Sequence, residues 1–222
     1  MQNSLTEISS DCIQTVMDGL RKNNMDVQYV PHKEEAAAAV ASLLKEGDTI
    51  AVGGSVTLEE TGVLELVQNG RYHFIDRYED GLSDRERKDR LTEAFRSDVF
   101  LCSANAITKN GEIYQVDGLS NRIAPLVFGP DSVIIVAGIN KIAADIEAAV
   151  YRVKTVTVPA IVKRRGLDAP CARLGSCIAA DQKNMASGCM CDARRCCNYL
   201  VLGRQRVKGR IKVILVGESL GF

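Results

Sequence analysis

Two short apolar runs, Val99–Leu101 and Val133–Ala137, constrain this chain more than any other feature. Runs of this length bounded by polar residues read as strands buried on both faces. Thr49–Val52 reads the same way, and helix-length segments lie between the runs. Alternation of buried strands and helices specifies a layered, largely parallel α/β sheet. In such a sheet, ligands bind outside the carboxyl ends of the strands. Asn105 stands just beyond the first run, and Asn140 and Lys141 just beyond the second, with Asp117, Asn121 and Arg122 between. Amide, carboxylate and cationic groups gathered at strand ends predict a pocket for a small anionic molecule.

Local signals fill in the rest. Ile8, Cys12, Val16 and Leu20 have helical spacing and predict an N-terminal helix over about residues 5–24. Val27–Val30 reads as extended and Lys33–Lys45 as an Ala-rich helix. Thr57–Asn69 reads as a helix stopped by Gly70, and Tyr72–Asp76 as a strand. Ser83 with Glu86 has capping-box spacing and starts a helix to Arg96. Asn110-Gly111 is a hairpin signal between Ala106–Thr108 and Glu112–Val116. Short helices are expected at Asn121–Phe128 and Ala143–Val153, and closing strands at Tyr199–Leu202 and Ile211–Val216. No internal repeat or low-complexity linker divides the chain. One α/β domain over 1–222 is therefore expected, with a small β-hairpin insertion and a Cys-rich excursion at 171–197.

Composition excludes some functions. Trp is absent and aromatics make up 5% of the 222 residues, so no base-stacking platform is evident and nucleic-acid binding ranks last. The net charge of zero hides an asymmetry: residues 1–150 carry 14 Lys+Arg against 24 Asp+Glu, and 151–222 carry 14 against 4. The basic residues are scattered, so the two parts are expected to complement each other within one fold or between subunits of a homo-oligomer. The N-terminus lacks a secretory pattern and no run approaches the roughly 20 apolar residues of a membrane span. The expected location is cytoplasmic, where reducing conditions favour metal or redox roles for the eight cysteines over structural disulfides.

Several constellations bear chemistry. Gly53-Gly54-Ser55 follows a strand and leads through Thr57 into a helix; glycines let backbone approach a ligand closely, and a helix start favours an anion. The loop is neither a Walker loop nor a dinucleotide fingerprint. Asp117 is a candidate hydroxyl acceptor or base, and Arg122 a bidentate partner for carboxylate or phosphate. Lys141 is a candidate anion ligand. As a nucleophile it lacks a pKa-lowering neighbour in sequence. Cys171, Cys177, Cys189, Cys191, Cys196 and Cys197 could ligate zinc or an iron–sulfur cluster, but their spacing is irregular and contains no Cys-x-x-Cys knuckle. His32 and His73 lack a nucleophile motif and read as structural.

Taken in order, Gly53-Gly54-Ser55-x-Thr57-Leu58, Ala104-Asn105-Ala106-Ile107-Thr108, Asp117-Gly118-x-x-Asn121-Arg122, Gly129-Pro130-x-x-Val133-Ile134 and Gly138-x-Asn140-Lys141 resemble the LUD family, the lactate-utilization domain of bacterial proteins. The resemblance spans about residues 10–202. It implies a Rossmann-like layered sheet of the NagB/RpiA/CoA-transferase-like type and a role in oxidising L-lactate to pyruvate beside iron–sulfur partner proteins. It marks Gly53, Gly54, Ser55, Thr57, Asn105, Asp117, Asn121, Arg122, Asn140 and Lys141 as a ligand pocket without assigning catalytic roles; Asp117 and Lys141 are catalytic candidates from their residue chemistry alone. The tail departs from the family pattern. Pro170 to Cys177 matches, but a longer insert, Ile178–Met190, follows, and Ala180 stands where a cysteine is often found.

Three functions compete. The first is a component or accessory of L-lactate oxidation; with no nicotinamide or flavin fingerprint in the chain, hydride chemistry needs a partner or an unrecognised cofactor. The second is an enzyme acting on a sugar phosphate or acyl-CoA. The third is a metal or redox module built on the cysteines.

Overall fold

The computed structural model describes residues 9–182 and 184–222. Its strands, in chain order, are β1 (Asp26–Val30), β2 (Thr49–Val52), β3 (His73–Phe74), β4 (Val99–Cys102), β5 (Ala106–Thr108), β6 (Ile113–Asp117), β7 (Ser132–Gly138), β8 (Ile142–Ala143), β9 (Asn198–Leu202) and β10 (Ile211–Val216). The helices are α1 (Ser10–Lys22), α2 (Ala36–Ala41), α3 (Val56–Glu60), α4 (Val63–Val67), α5 (Asp84–Glu93), α6 (Ile123–Val127), α7 (Ile146–Arg152), α8 (Val158–Arg164) and α9 (Pro170–Leu174). Residues 5–8 of the expected N-terminal helix lie outside the described residues. Ser9 caps the helix that follows, accepting from Cys12 N–H.

The expected parallel sheet is present. Six strands run in the order β1-β10-β7-β4-β2-β3, all parallel. Alternate residues of each strand point to opposite faces. Phe100, Val133, Ile135, Val213 and Leu215 pack on one side with Val16 and Leu20 of α1. Leu101, Ile134, Val136, Ile214 and Val216 pack on the other with Ala36 and Val40 of α2 and Val63 and Val67 of α4. With both faces covered, β4 is apolar throughout and β7 is apolar from Val133 onward. Burying each Leu, Ile or Val side chain contributes about 1.5–3 kcal/mol.

A second, mixed sheet of four strands, β8-β5-β6-β9, carries the hairpin. β5 and β6 are antiparallel across the Asn110-Gly111 turn, as the sequence predicts. The turn packs directly on α1. A side-chain carbon added at Gly19 would lie 2.6 Å from the Asn110 carbonyl carbon, and one at Gly111 would lie 2.2 Å from the Gly19 carbonyl carbon. Only two facing glycines allow that approach.

Elsewhere the structure differs from the expected elements. The helix expected over Thr57–Asn69 is two, α3 and α4, because Gly62 takes a left-handed φ of 68° between them. The Lys33–Lys45 helix is a 3-10 turn, Lys33–Glu35, leading into the shorter α2. Ala143 belongs to β8 rather than to a helix, and α7 begins at Ile146 behind the Asp145 cap. After α7 the chain winds through a π-helical turn, Val153–Thr157, straight into α8, so the β-branched run there is helical. The capping box of Ser83 and Glu86 forms as expected. Among the described residues no helix is long and apolar enough to cross a membrane.

Candidate functional site

From β2 the chain moves outward to β3, then returns to place β4 on the other side of β2. A crevice at such a reversal is the expected ligand site of an open α/β sheet. Here it holds a cleft of about 350 Å³ that joins a neighbouring recess of about 320 Å³. Gly54, Arg77, Asn105, Arg122, Ile161 and Arg165 line both.

At the floor stand Thr57, Ser103 and Lys141, which follow β2, β4 and β7. Lys141 is 3% exposed, and its Nζ lies 2.7 Å from Ser103 Oγ and 2.8 Å from Thr57 Oγ1. Burial, then the neighbouring Arg152 and Arg122 cations, push its pKa down to about 7; Glu60 and Cys102 pull the other way. Sequence neighbours gave no reason to expect this. The lowering groups arrive from α7 and from the N-terminus of α6. Lys141 thus lacks a pKa-lowering neighbour in sequence, as expected, and gains two in space.

Arg122 is held rigidly. Asp117 accepts four hydrogen bonds, from Arg122 N, Nε and Nη2 and from Ile123 N, the shortest 2.7 Å. Arg122 Nη2 also donates to Asn105 Oδ1 and the Val116 carbonyl. Asp117 is thus committed to positioning Arg122 and capping α6, and a role as base has no free oxygen to use. Asn105 is likewise tied in, accepting from Val116 N–H at 2.8 Å and giving its carbonyl to Arg152.

Of the expected pocket residues, Gly54, Ser55, Thr57, Asn105, Arg122 and Lys141 line the main cleft, and Asp117 and Asn121 line the recess. Ser55 is also the cap of α3, accepting from Leu58 N–H. Two expected residues support from behind. A side-chain carbon at Gly53 would fall 2.9 Å from Arg122 Cγ, so this glycine makes room for the arginine. Asn140 clamps the Leu220 backbone, donating to its carbonyl and accepting from its N–H.

Sequence reasoning passed over Ser103, Arg77, Arg152, Arg164 and Arg165. Ser103 and Arg77 follow strands, which is the signal that could have found them. Arg77 has a buried Nη1 with no hydrogen-bond partner, and its pKa is lowered, mainly by burial. Its guanidinium lies 5.4 Å from the Tyr78 ring centre. Arg164 pairs with Glu59 at 3.2 Å across the cleft mouth.

The cysteines form a different region. Cys171, Cys177, Cys189 and Cys196 line a narrow, mostly apolar void of about 20 Å³ with Tyr114, Met185 and Tyr199. Cys191 lies beside Cys189, Sγ to Sγ 3.3 Å, and Cys197 is exposed outside the void. Among the described residues no three or more His, Cys, Asp or Glu are arranged to hold a metal ion. Four of the six thiols face this one void, yet they do not meet in an arrangement that would hold zinc or an iron–sulfur cluster as they stand.

Fold and site together define a layered α/β protein with a cationic crevice at the carboxyl ends of its parallel strands. The model of the LUD domain family matches residues 13–216, and the chain belongs to that family. A DUF162 family protein from Deinococcus radiodurans is similar in structure, with a TM-score of 0.50 and 17% identity over 93% of this chain and 97% of that one. At that identity the likeness establishes the shared fold. A further solved structure, eIF2B beta from Chaetomium thermophilum, has a TM-score of 0.35 and 15% identity over 61% of this chain and 43% of that one. No curated protein matches this chain.

Proposed function

We propose that the cleft binds a small organic anion and that the protein serves L-lactate oxidation to pyruvate, as a component or accessory working beside iron–sulfur partner proteins. The observation that carries the anion reading is the buried, unpartnered Nη1 of Arg77 in a cleft also walled by Arg122, Arg164 and Arg165. A buried donor without a partner costs free energy that a bound carboxylate or phosphate recovers. Among the described residues, the carboxylates that line the cleft and its recess are Glu59 and Asp117, and each is already paired. Membership of the LUD domain family supports lactate metabolism as the setting.

Calorimetric titration with lactate, pyruvate, a sugar phosphate and a CoA ester tests the reading. Binding of lactate or pyruvate, weakened by R77M, is the expected result. Preference for the sugar phosphate or CoA ester would favour the second enzyme class, and silence toward all four would remove the anion site. Deleting the gene is expected to impair growth on L-lactate.

A further inference from the structure

We propose that Lys141 is an amine nucleophile that forms a Schiff base with the carbonyl of a small 2-oxo acid bound in the cleft. The proposal rests on the anion reading above and names its substrate class.

The geometry is that of a buried lysine without a counter-ion. Lys141 is buried at the cleft floor, and among the described residues it forms no ion pair. Its polar partners are two hydroxyls, Thr57 Oγ1 at 2.8 Å and Ser103 Oγ at 2.7 Å. A lysine meant to bind an anion electrostatically gains from solvent and a carboxylate counter-charge. A lysine meant to attack carbon must instead shed its proton, which desolvation and adjacent cations achieve. The charged and titratable groups facing it are Arg152 from α7, Arg122 from the start of α6, Glu60 from α3 and Cys102 from β4. Burial and the two arginines prevail and bring its pKa down to about 7, so the neutral amine is well populated at pH 7.

The surroundings suit a 2-oxo acid. Arg77 and Arg122 offer donors for its carboxylate, and the cleft has the volume for a molecule of a few carbons. Ser103 and Thr57, already bonded to Nζ, can carry protons between nitrogen and the substrate oxygen. In the step, the Nζ lone pair forms a bond to the carbonyl carbon while the C=O π pair moves to oxygen, which takes a proton. The nitrogen pair then forms C=N as the C–O bond breaks, and the hydroxyl leaves as water with a second proton. Amine plus carbonyl gives imine plus water, with no oxidant or reductant. The protonated imine is an electron sink, so the chemistry it serves is making or breaking a C–H or C–C bond beside the former carbonyl.

The test uses the whole protein incubated with cyanoborohydride and pyruvate, glyoxylate or 2-oxoglutarate, with lactate as the carbonyl-free control. Peptide mapping by mass spectrometry is expected to find a reduced adduct on Lys141 with at least one oxo acid and none with lactate. Its rate should rise with pH through about 7. K141M should lose the adduct; if that variant fails to fold, site mapping on the wild-type chain carries the result. An adduct spread over exposed lysines to the same extent as Lys141 would overturn the proposal. So would calorimetric binding of an oxo acid, or of a sugar phosphate, without any Lys141 adduct, and that outcome would leave the anion reading standing. Absence of binding by every anion tested would overturn both.

Discussion

The strand-end cleft and the cysteine void are both dense in reactive side chains, yet their polar groups are organised in opposite ways. In the cleft, groups from seven separate segments meet near the ends of buried strands, and their bonds hold side chains around an open volume. In the cysteine region the polar work is directed inward. Lys154 donates to the Ala179, Gln182 and Asn184 carbonyls, and Arg194 donates to the Ala186, Cys189 and Cys196 carbonyls and to Tyr199 Oη. These cations stitch a loop lacking regular structure, while the thiols face an apolar gap. The contrast teaches that crowding along the sequence marks a segment that needs internal fastening as readily as one that binds.

The comparison can be broken from either side. The largest effect is expected for R122A. Removing the cation leaves Asp117 unpaired in a setting where both side chains are only 12% and 11% exposed. Breaking a pair of this kind costs about 3–5 kcal/mol, to be read by urea denaturation, and anion binding should go with it. Lys141 adds a pH signature. Its pKa falls from 10.5 unfolded to about 7 folded, so between those values the unfolded chain holds the extra proton. Wild-type stability should therefore rise with pH relative to K141M from about 7 toward 10.5, and the difference should be flat below 7.

R77M is the narrower probe of the cleft. Losing one charge-assisted contact of about 1.5–3 kcal/mol should weaken anion binding roughly tenfold to a hundredfold, with the thermal midpoint little changed. R194A should do the reverse, destabilising by about 1–2 kcal/mol through its lost carbonyl bonds while leaving anion affinity intact. Loss of binding in R194A would join the two regions into one functional unit. The smallest effect is expected for C197S, an exposed thiol, at under about 0.5 kcal/mol. Thiol titration checks the same contrast: Cys197 should react at once, whereas Cys102, wholly buried with its pKa raised to about 12, should wait for unfolding.

Much of the fold was legible because its determinants are local. The apolar runs at 99–102, 133–137 and 211–216 are strands, and Asn110-Gly111 turns a hairpin. Ser83 caps its helix through Glu86. What escaped was governed by distant packing. Val153 to Val158 is rich in β-branched residues and still forms helix, because Val153, Val158 and Val162 bury against Tyr114 and Val116 of the mixed sheet. The site was legible in outline for a similar reason: strand ends can be located, and Asn105, Arg122 and Lys141 lie there. Its chemistry was not. Thr57, Ser103, Arg122 and Arg152 are 84, 38, 19 and 11 positions from Lys141 in the numbering, and only folding brings them to one amine.

The placement of β10 sets an order of events for the growing polypeptide. Its residues, 211–216, are inserted between β1 and β7, so β1 waits for a neighbour until a segment about 180 residues further along has been made. Pairings between such distant segments form late and slowly. The segment after β10 also finishes the cleft, for the Gly221 backbone lies against Thr57 so closely that a side-chain carbon there would come 2.8 Å from Thr57 Oγ1. A nascent chain halted before residue 211 thus displays the apolar flank of β7 as an open edge beside an unfinished pocket. Both are closed by one act of docking, which ties the acquisition of function to the suppression of aggregation.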